Sequence, residues 1–131
     1  SKYAICVSNG TIALIAALLA ENIGPGDEVI VPNLTFIATA NAVRLTGAKP
    51  VFSDVNLING CIQINNFKHL INSNTRAIMP VHLYGHISYM EELSHFAKKN
   101  NLIIIEDAAE AFGVWESKKH MGTFGDYGIF S

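Results

Sequence analysis

Short apolar runs separated by helical patterns recur along the whole chain, and that alternation restricts the fold more than any other feature. Candidate strands are Ala4–Val7, Glu28–Val31, Pro50–Phe52, Ala77–Val81, Leu102–Ile105 and Tyr127–Phe130. They are mostly apolar without polar alternation, as expected where both faces of a parallel sheet are covered. Between them, Thr11–Asn22 is apolar nearly all round, which predicts a buried helix, with Gly24 as its stop and Pro25, Gly26 and Asp27 as a turn. A second helix is predicted over Thr35–Thr46, ended by Gly47, and Phe67, Leu70 and Ile71 predict a short third. Ser88 and Glu91 read as a capping box for a fourth. Its apolar face is Met90, Leu93, Phe96 and Ala97, and Lys98 and Lys99 suit the negative end of its dipole. Strands and helices alternating at this spacing predict an α/β fold with a doubly wound, mainly parallel sheet.

Composition narrows the function classes. Of 131 residues, 50% are hydrophobic and 15% charged, against roughly 25% charged in ordinary soluble domains. Disorder is excluded, since disordered chains are charge-rich and poor in apolar residues. Much of this chain must be buried, in a large core or against something outside it. The net charge of −2 and nine scattered Lys and Arg leave no basic patch for nucleic acid. The longest apolar run, Ile12 to Ala20, falls far short of the ~20 residues of a membrane-crossing helix. No leader-like pattern opens the chain, which starts at Ser1 without an initiator Met, so upstream sequence is expected. Cys6 and Cys61 offer neither metal spacing nor a disulfide framework, and read as reduced thiols of a cytoplasmic protein.

Open α/β sheets bind ligands outside the carboxyl ends of their strands, which yields a short list of candidates. After the first expected strand, Ser8, Asn9, Gly10 and Thr11 open directly into a helix. Gly10 lets a ligand approach the backbone, Thr11 adds a hydroxyl, and a helix N-terminus attracts phosphate. Plain capping by Ser8 or Thr11 is the commoner use of such residues. The cluster matches neither the P-loop nor the dinucleotide fingerprint. After the fifth strand come Glu106, Asp107 and Glu110. They could hold Mg²⁺, cap a following helix, or set one carboxylate, Asp107, against a cationic heterocycle; the helix-end reading is narrowly the simplest. His82 after the fourth strand reads as a hydrogen-bonded structural residue, and Phe36, near a helix start, as core. Ser131 follows the sixth strand.

Taken together and in order, SNGTIAL (8–14), GPGDEVIVPNLTFIATANAV (24–43), GAKPVFSDV (47–55), RAIMPVHLYGH (76–86), IIEDAAEAFG (104–113) and GTFGDYGIFS (122–131) resemble one family. It is the pyridoxal phosphate (PLP)-dependent nucleotide-sugar aminotransferases of the fold type I, aspartate-aminotransferase superfamily. The resemblance implies a cofactor, PLP, with Gly10, Thr11 and Ser131 on its phosphate, Phe36 stacked on its ring and Asp107 paired with its pyridinium nitrogen. An ionised Asp there keeps the ring nitrogen protonated and makes PLP an electron sink. Glu110 falls where the family often has Gln, beside the ring's 3-oxygen, where carboxylate and phenolate repel unless one carries a proton. VPNLTFIATANAV, MPVHLYGH and EDAAEAFG are most similar to the branch acting on GDP-4-keto-6-deoxymannose. Implied with it are glutamate as amino donor, a homodimer, and a place in amino-sugar polysaccharide biosynthesis such as O-antigen.

In that family the lysine that anchors PLP lies a few residues beyond the serine matching Ser131, and none of this chain's lysines matches it. Residues 1–131 are therefore expected to be part of the PLP-binding large domain and inactive alone. An N-terminal segment, the lysine region with the strand after it, and a C-terminal small domain would lie outside them. Three alternatives stay open here: a non-catalytic remnant that binds PLP or a partner, a sugar dehydratase with His in place of the lysine, and an unrelated Mg²⁺-dependent phosphotransfer domain using Glu106 and Asp107.

Overall fold

The strands are mostly apolar because the two faces of their sheet look into two different cores. In the computed structural model, which describes residues 1–116 and 118–131, strand β1 (Glu28–Pro32) is buried throughout. Its Val29 and Val31 enter one core and Ile30 the other, since successive strand residues point to opposite faces. The helix α1 (Gly10–Ala20) and α2 (Ala38–Leu45) cover the first face through Leu14, Leu18, Ala42 and Val43. On the second face Phe67 of α3 (Ile64–Phe67) packs with Met90 and Leu93 of α4 (Met90–Lys99).

Strands β2 (Lys49–Ser53), β3 (Thr75–Ile78) and β4 (Ile103–Asp107) join β1 in a parallel sheet, and a short hairpin of β5 (Trp115–Glu116) and β6 (Lys119–His120) precedes β7 (Tyr127–Ile129). The order in the main sheet is β2-β1-β3-β4-β7, with every pairing parallel. The chain winds outward from β1 to β2, then returns to the other side of β1 and continues through β3 and β4. That reversal between β1 and β3 makes a crevice at the strands' carboxyl ends. The predicted doubly wound parallel sheet is the one observed.

Several local expectations are corrected. Ala4–Val7 is not a strand: Tyr3 and Ile5 are exposed, and no strand among the described residues lies beside it. An apolar run becomes a strand only when a neighbour takes its backbone hydrogen bonds. α1 is buried on one face only, with Ile12 and Leu19 exposed on the other. Its stop is Asn22, in the left-handed region at φ 55°, with the Ile23 N–H bonded to Leu18 O at 3.0 Å in the Schellman pattern; Gly24 instead donates to Asp27 Oδ2 at 3.0 Å. Gly47 at φ 86° does end α2. The capping box of α4 does not form. Tyr89 takes the cap position, while buried Ser88 turns its hydroxyl to Val81 O at 3.4 Å.

Candidate functional site

The amino end of α1 is prepared by Asn9. In an extended conformation it caps the helix: its Oδ1 accepts from the Ile12 N–H at 3.0 Å and its carbonyl from the Ala13 N–H at 3.1 Å. The cap is thus neither Ser8 nor Thr11. With those two donors satisfied, the Gly10 and Thr11 N–H groups are the ones left to face a ligand at the positive end of the helix. Ser131, just past β7, lies directly against this turn. A Cβ on Gly10 would come within 2.9 Å of Ser131 Cβ and 3.2 Å of its Oγ, so the absence of a side chain at Gly10 is what admits Ser131.

Asp107 ends β4 on the same side of the sheet, 7% exposed. Its Oδ2 accepts from the Thr39 hydroxyl at 2.8 Å and its Oδ1 from the Ala109 N–H at 3.3 Å. Burial pushes its carboxyl above the usual aspartate range, against the pull of Thr39, the Ala109 N–H and nearby His82, while Glu110 adds to the rise. Among the described residues no Lys or Arg pairs with it. A buried carboxylate with two hydrogen bonds and no cation is a site for a positively charged donor.

Glu106, the preceding residue, is fully buried and wholly occupied. Its Oε1 accepts from the N–H groups of Phe124 and Gly125, both at 2.6 Å. Its Oε2 accepts from the Gly122 N–H at 2.8 Å and meets His82 Nε2 at 3.1 Å. His82 Nδ1 accepts from the Ser88 N–H at 3.3 Å, so the ring proton sits on Nε2 and His82 donates to Glu106. His82 is the structural residue its sequence context predicts. Among the described residues no helix follows β4, so the helix-end reading of the acidic cluster fails; turns at 109–110 and 112–113 stand there instead. The Mg²⁺ reading fares no better. Among the described residues no three metal-binding side chains converge, and Glu106 is already committed to backbone donors.

Phe36 is 74% exposed, not core, because α2 starts two residues beyond it and the preceding turn carries its ring to the cleft. Glu110 is exposed and its Oε2 accepts from the Tyr84 N–H at 2.6 Å, with Tyr84 in the left-handed region at φ 53°. All six residues singled out by sequence, Gly10, Thr11, Phe36, Asp107, Glu110 and Ser131, line a single cleft of about 260 Å³. Donors for an anion stand at one end, an aromatic face on the side, and an unpaired buried carboxylate at the base. That set fits a flat cationic heteroaromatic ring carrying a phosphate, which is the chemistry of PLP. Sequence reading placed Asn9 in the cluster but missed its capping role, and missed Thr35 and Thr39 altogether. Asn9 had the ordinary cap signature; Thr39 bonds a residue 68 positions away and leaves no local signal.

Among the described residues, no helix is long and apolar enough to cross a membrane. A sequence profile of the DegT/DnrJ/EryC1/StrS aminotransferase family matches residues 1–131. The GDP-perosamine synthase of Escherichia coli O157:H7 is 51% identical over 130 residues, covering 99% of this chain and 36% of its own length. The UDP-N-acetyl-3-dehydro-alpha-D-glucosamine 3-aminotransferase of Acidithiobacillus ferrooxidans is 48% identical over 124 residues, 95% of this chain and 34% of its own. The crystal structure of NtdA from Bacillus subtilis, with its cofactor PMP bound, superposes with a TM-score of 0.80 at 39% identity, over 86% of this chain and 26% of that one. The chain spans about a third of the length of the curated relatives it matches.

Proposed function

This chain belongs to the DegT/DnrJ/EryC1/StrS aminotransferase family, and from that premise we propose that it is part of the PLP-binding large domain of a nucleotide-sugar aminotransferase. The observation that carries the reading is the cleft itself, where the amino end of α1 with Ser131 and the cation-seeking carboxylate of β4 line one cavity together with Phe36. When bound, PLP supplies an electron-withdrawing ring that stabilises negative charge at the carbon being deprotonated. The Gly10 and Thr11 N–H groups and the Ser131 hydroxyl bind the phosphate. Phe36, at the wall of the cleft, would cover the ring face and keep water from it. Asp107 accepts the ring N–H and holds the proton there. Glu110, held by the Tyr84 N–H on its Oε2, would stand beside the ring's oxygen substituent. Glu106 acts on none of these atoms and instead holds the 122–125 loop that leads into β7 and delivers Ser131.

The amino acceptor we propose is GDP-4-keto-6-deoxymannose, with glutamate as donor, as in a GDP-perosamine synthase. The anchoring lysine, the small domain and the segment before Ser1 are supplied by the remainder of a cytoplasmic, homodimeric enzyme serving amino-sugar polysaccharide synthesis. The 51% identity to a GDP-perosamine synthase favours this acceptor. The 48% identity to an enzyme named for a UDP 3-keto sugar marks a competitor. The test is to incubate the full-length protein with PLP and glutamate and offer each keto sugar in turn. Formation of a GDP-4-amino sugar is expected. Preference for the UDP 3-keto sugar would overturn the substrate, and failure to bind PLP would overturn the family chemistry for this protein.

A further inference from the structure

Two threonines stand in line behind Asp107. Thr39 is fully buried, with its Oγ1 2.8 Å from Asp107 Oδ2. Thr35 places its Oγ1 2.9 Å from Thr39 Oγ1 and also lines the cleft. Each hydroxyl owns a single proton, so the chain has two directions only. With Asp107 ionised, Thr39 must donate to the carboxylate and Thr35 must donate to Thr39. With Asp107 protonated on Oδ2, the carboxyl donates, both hydroxyls reverse, and Thr35 turns its proton to the cleft. Hydrogen bonds to a charged acceptor are about twice as strong as neutral ones, so the first direction opposes the burial that favours a neutral Asp107. Glu110 pushes the same carboxyl toward neutrality and His82 away from it, and neither is hydrogen-bonded to it.

We propose that Thr39, with Thr35 behind it, is a positioning residue that keeps Asp107 an ionised and correctly turned acceptor, so that the cleft selects a heteroaromatic ring carrying an N–H over one without it. For PLP as the ring, this rests on the function proposed above. Thr39 touches neither cofactor nor substrate and acts through Asp107.

The experiment uses the full-length protein as wild type, Thr39→Val, Thr39→Ser and the milder Thr35→Val. In cofactor-free protein, the Asp107 carboxyl is followed by carbon NMR through a pH titration, its signal assigned by its loss in Asp107→Asn. Its midpoint is expected to move to higher pH in Thr39→Val, less so in Thr35→Val, and to return in Thr39→Ser. Affinity is then measured for PLP and for its 1-deaza analogue, in which carbon replaces the ring nitrogen. Thr39→Val should weaken PLP binding about 10- to 100-fold, the worth of one hydrogen bond to a charged group, and leave the deaza analogue unchanged. Equal losses for both ligands, or an unmoved midpoint in both valine variants, would overturn the proposal. Should wild type bind neither ligand, the PLP reading falls, while the cofactor-free titration still decides the role of Thr39.

Discussion

Glu106 and Asp107 are neighbours on one strand, both buried carboxylates, and their environments are opposite. Strand geometry sends them to different faces of the sheet. Glu106 meets three backbone N–H groups and His82; Asp107 meets one hydroxyl and one N–H. The first has its lone pairs filled and its charge balanced by donors, so it has nothing left to offer a ligand. The second has one donor on each oxygen and no cation beside it, which leaves lone pairs free for a further, positively charged donor. Saturation, more than charge or burial, separates the architectural acid from the one we propose meets the cofactor.

The comparison is most sharply tested by exchanging each acid for its amide. Glu106→Gln puts an NH₂ where four donors converge, and should cost about 2–4 kcal/mol in urea denaturation, with the 122–125 loop losing amide-exchange protection. Asp107→Asn should leave stability within about 1 kcal/mol yet lower the turnover of the full-length enzyme about 100-fold or more, as losing a charge-stabilising group does. Reversed outcomes would break the distinction. Gly10→Ala sets a methyl against Ser131 at 2.9 Å. It should cost about 1–3 kcal/mol by overpacking and weaken PLP binding, read by equilibrium dialysis.

The pH dependence separates the two acids again. Burial raises the Asp107 carboxyl, so the folded state holds that proton more tightly than the unfolded chain. Its contribution is greatest at low pH and is lost as pH rises from the ordinary aspartate range through the raised one. Asp107→Asn should flatten that part of the stability profile in paired wild-type and variant melts. The smallest effect is expected at Phe36, which is 74% exposed. Phe36→Ala should change stability by less than about 0.5 kcal/mol and PLP affinity by about 3- to 10-fold, the range of a stacking contact.

How far these features can be read from the chain alone follows from whether their causes are local. Five strands are legible because a parallel sheet covered by helices on both faces favours short, mostly apolar runs, most fully in β1, which is buried throughout. Ala4–Val7 has the same run and fails, since pairing depends on a neighbour that no short window contains. Gly10, Thr11, Asp107, Glu110 and Ser131 stand out because strand ends and helix starts are where such folds bind ligands; Phe36, which reads as core from its position, is marked by the family resemblance alone. The contrast between Glu106 and Asp107 is not. It depends on which side of β4 the loop 122–125 and Thr39 approach, and both lie far from them in sequence. Ser88 shows the opposite failure. Its spacing to Glu91 fits a capping box, but burial beside His82 and Val81 claims its backbone and hydroxyl first.

The most direct test is the protonation state of the ring that Asp107 is proposed to meet. Nitrogen NMR of ring-labelled PLP bound to the full-length protein near neutral pH should show a protonated ring nitrogen in wild type and an unprotonated one in Asp107→Asn. Identical nitrogen shifts in the two proteins would contradict it.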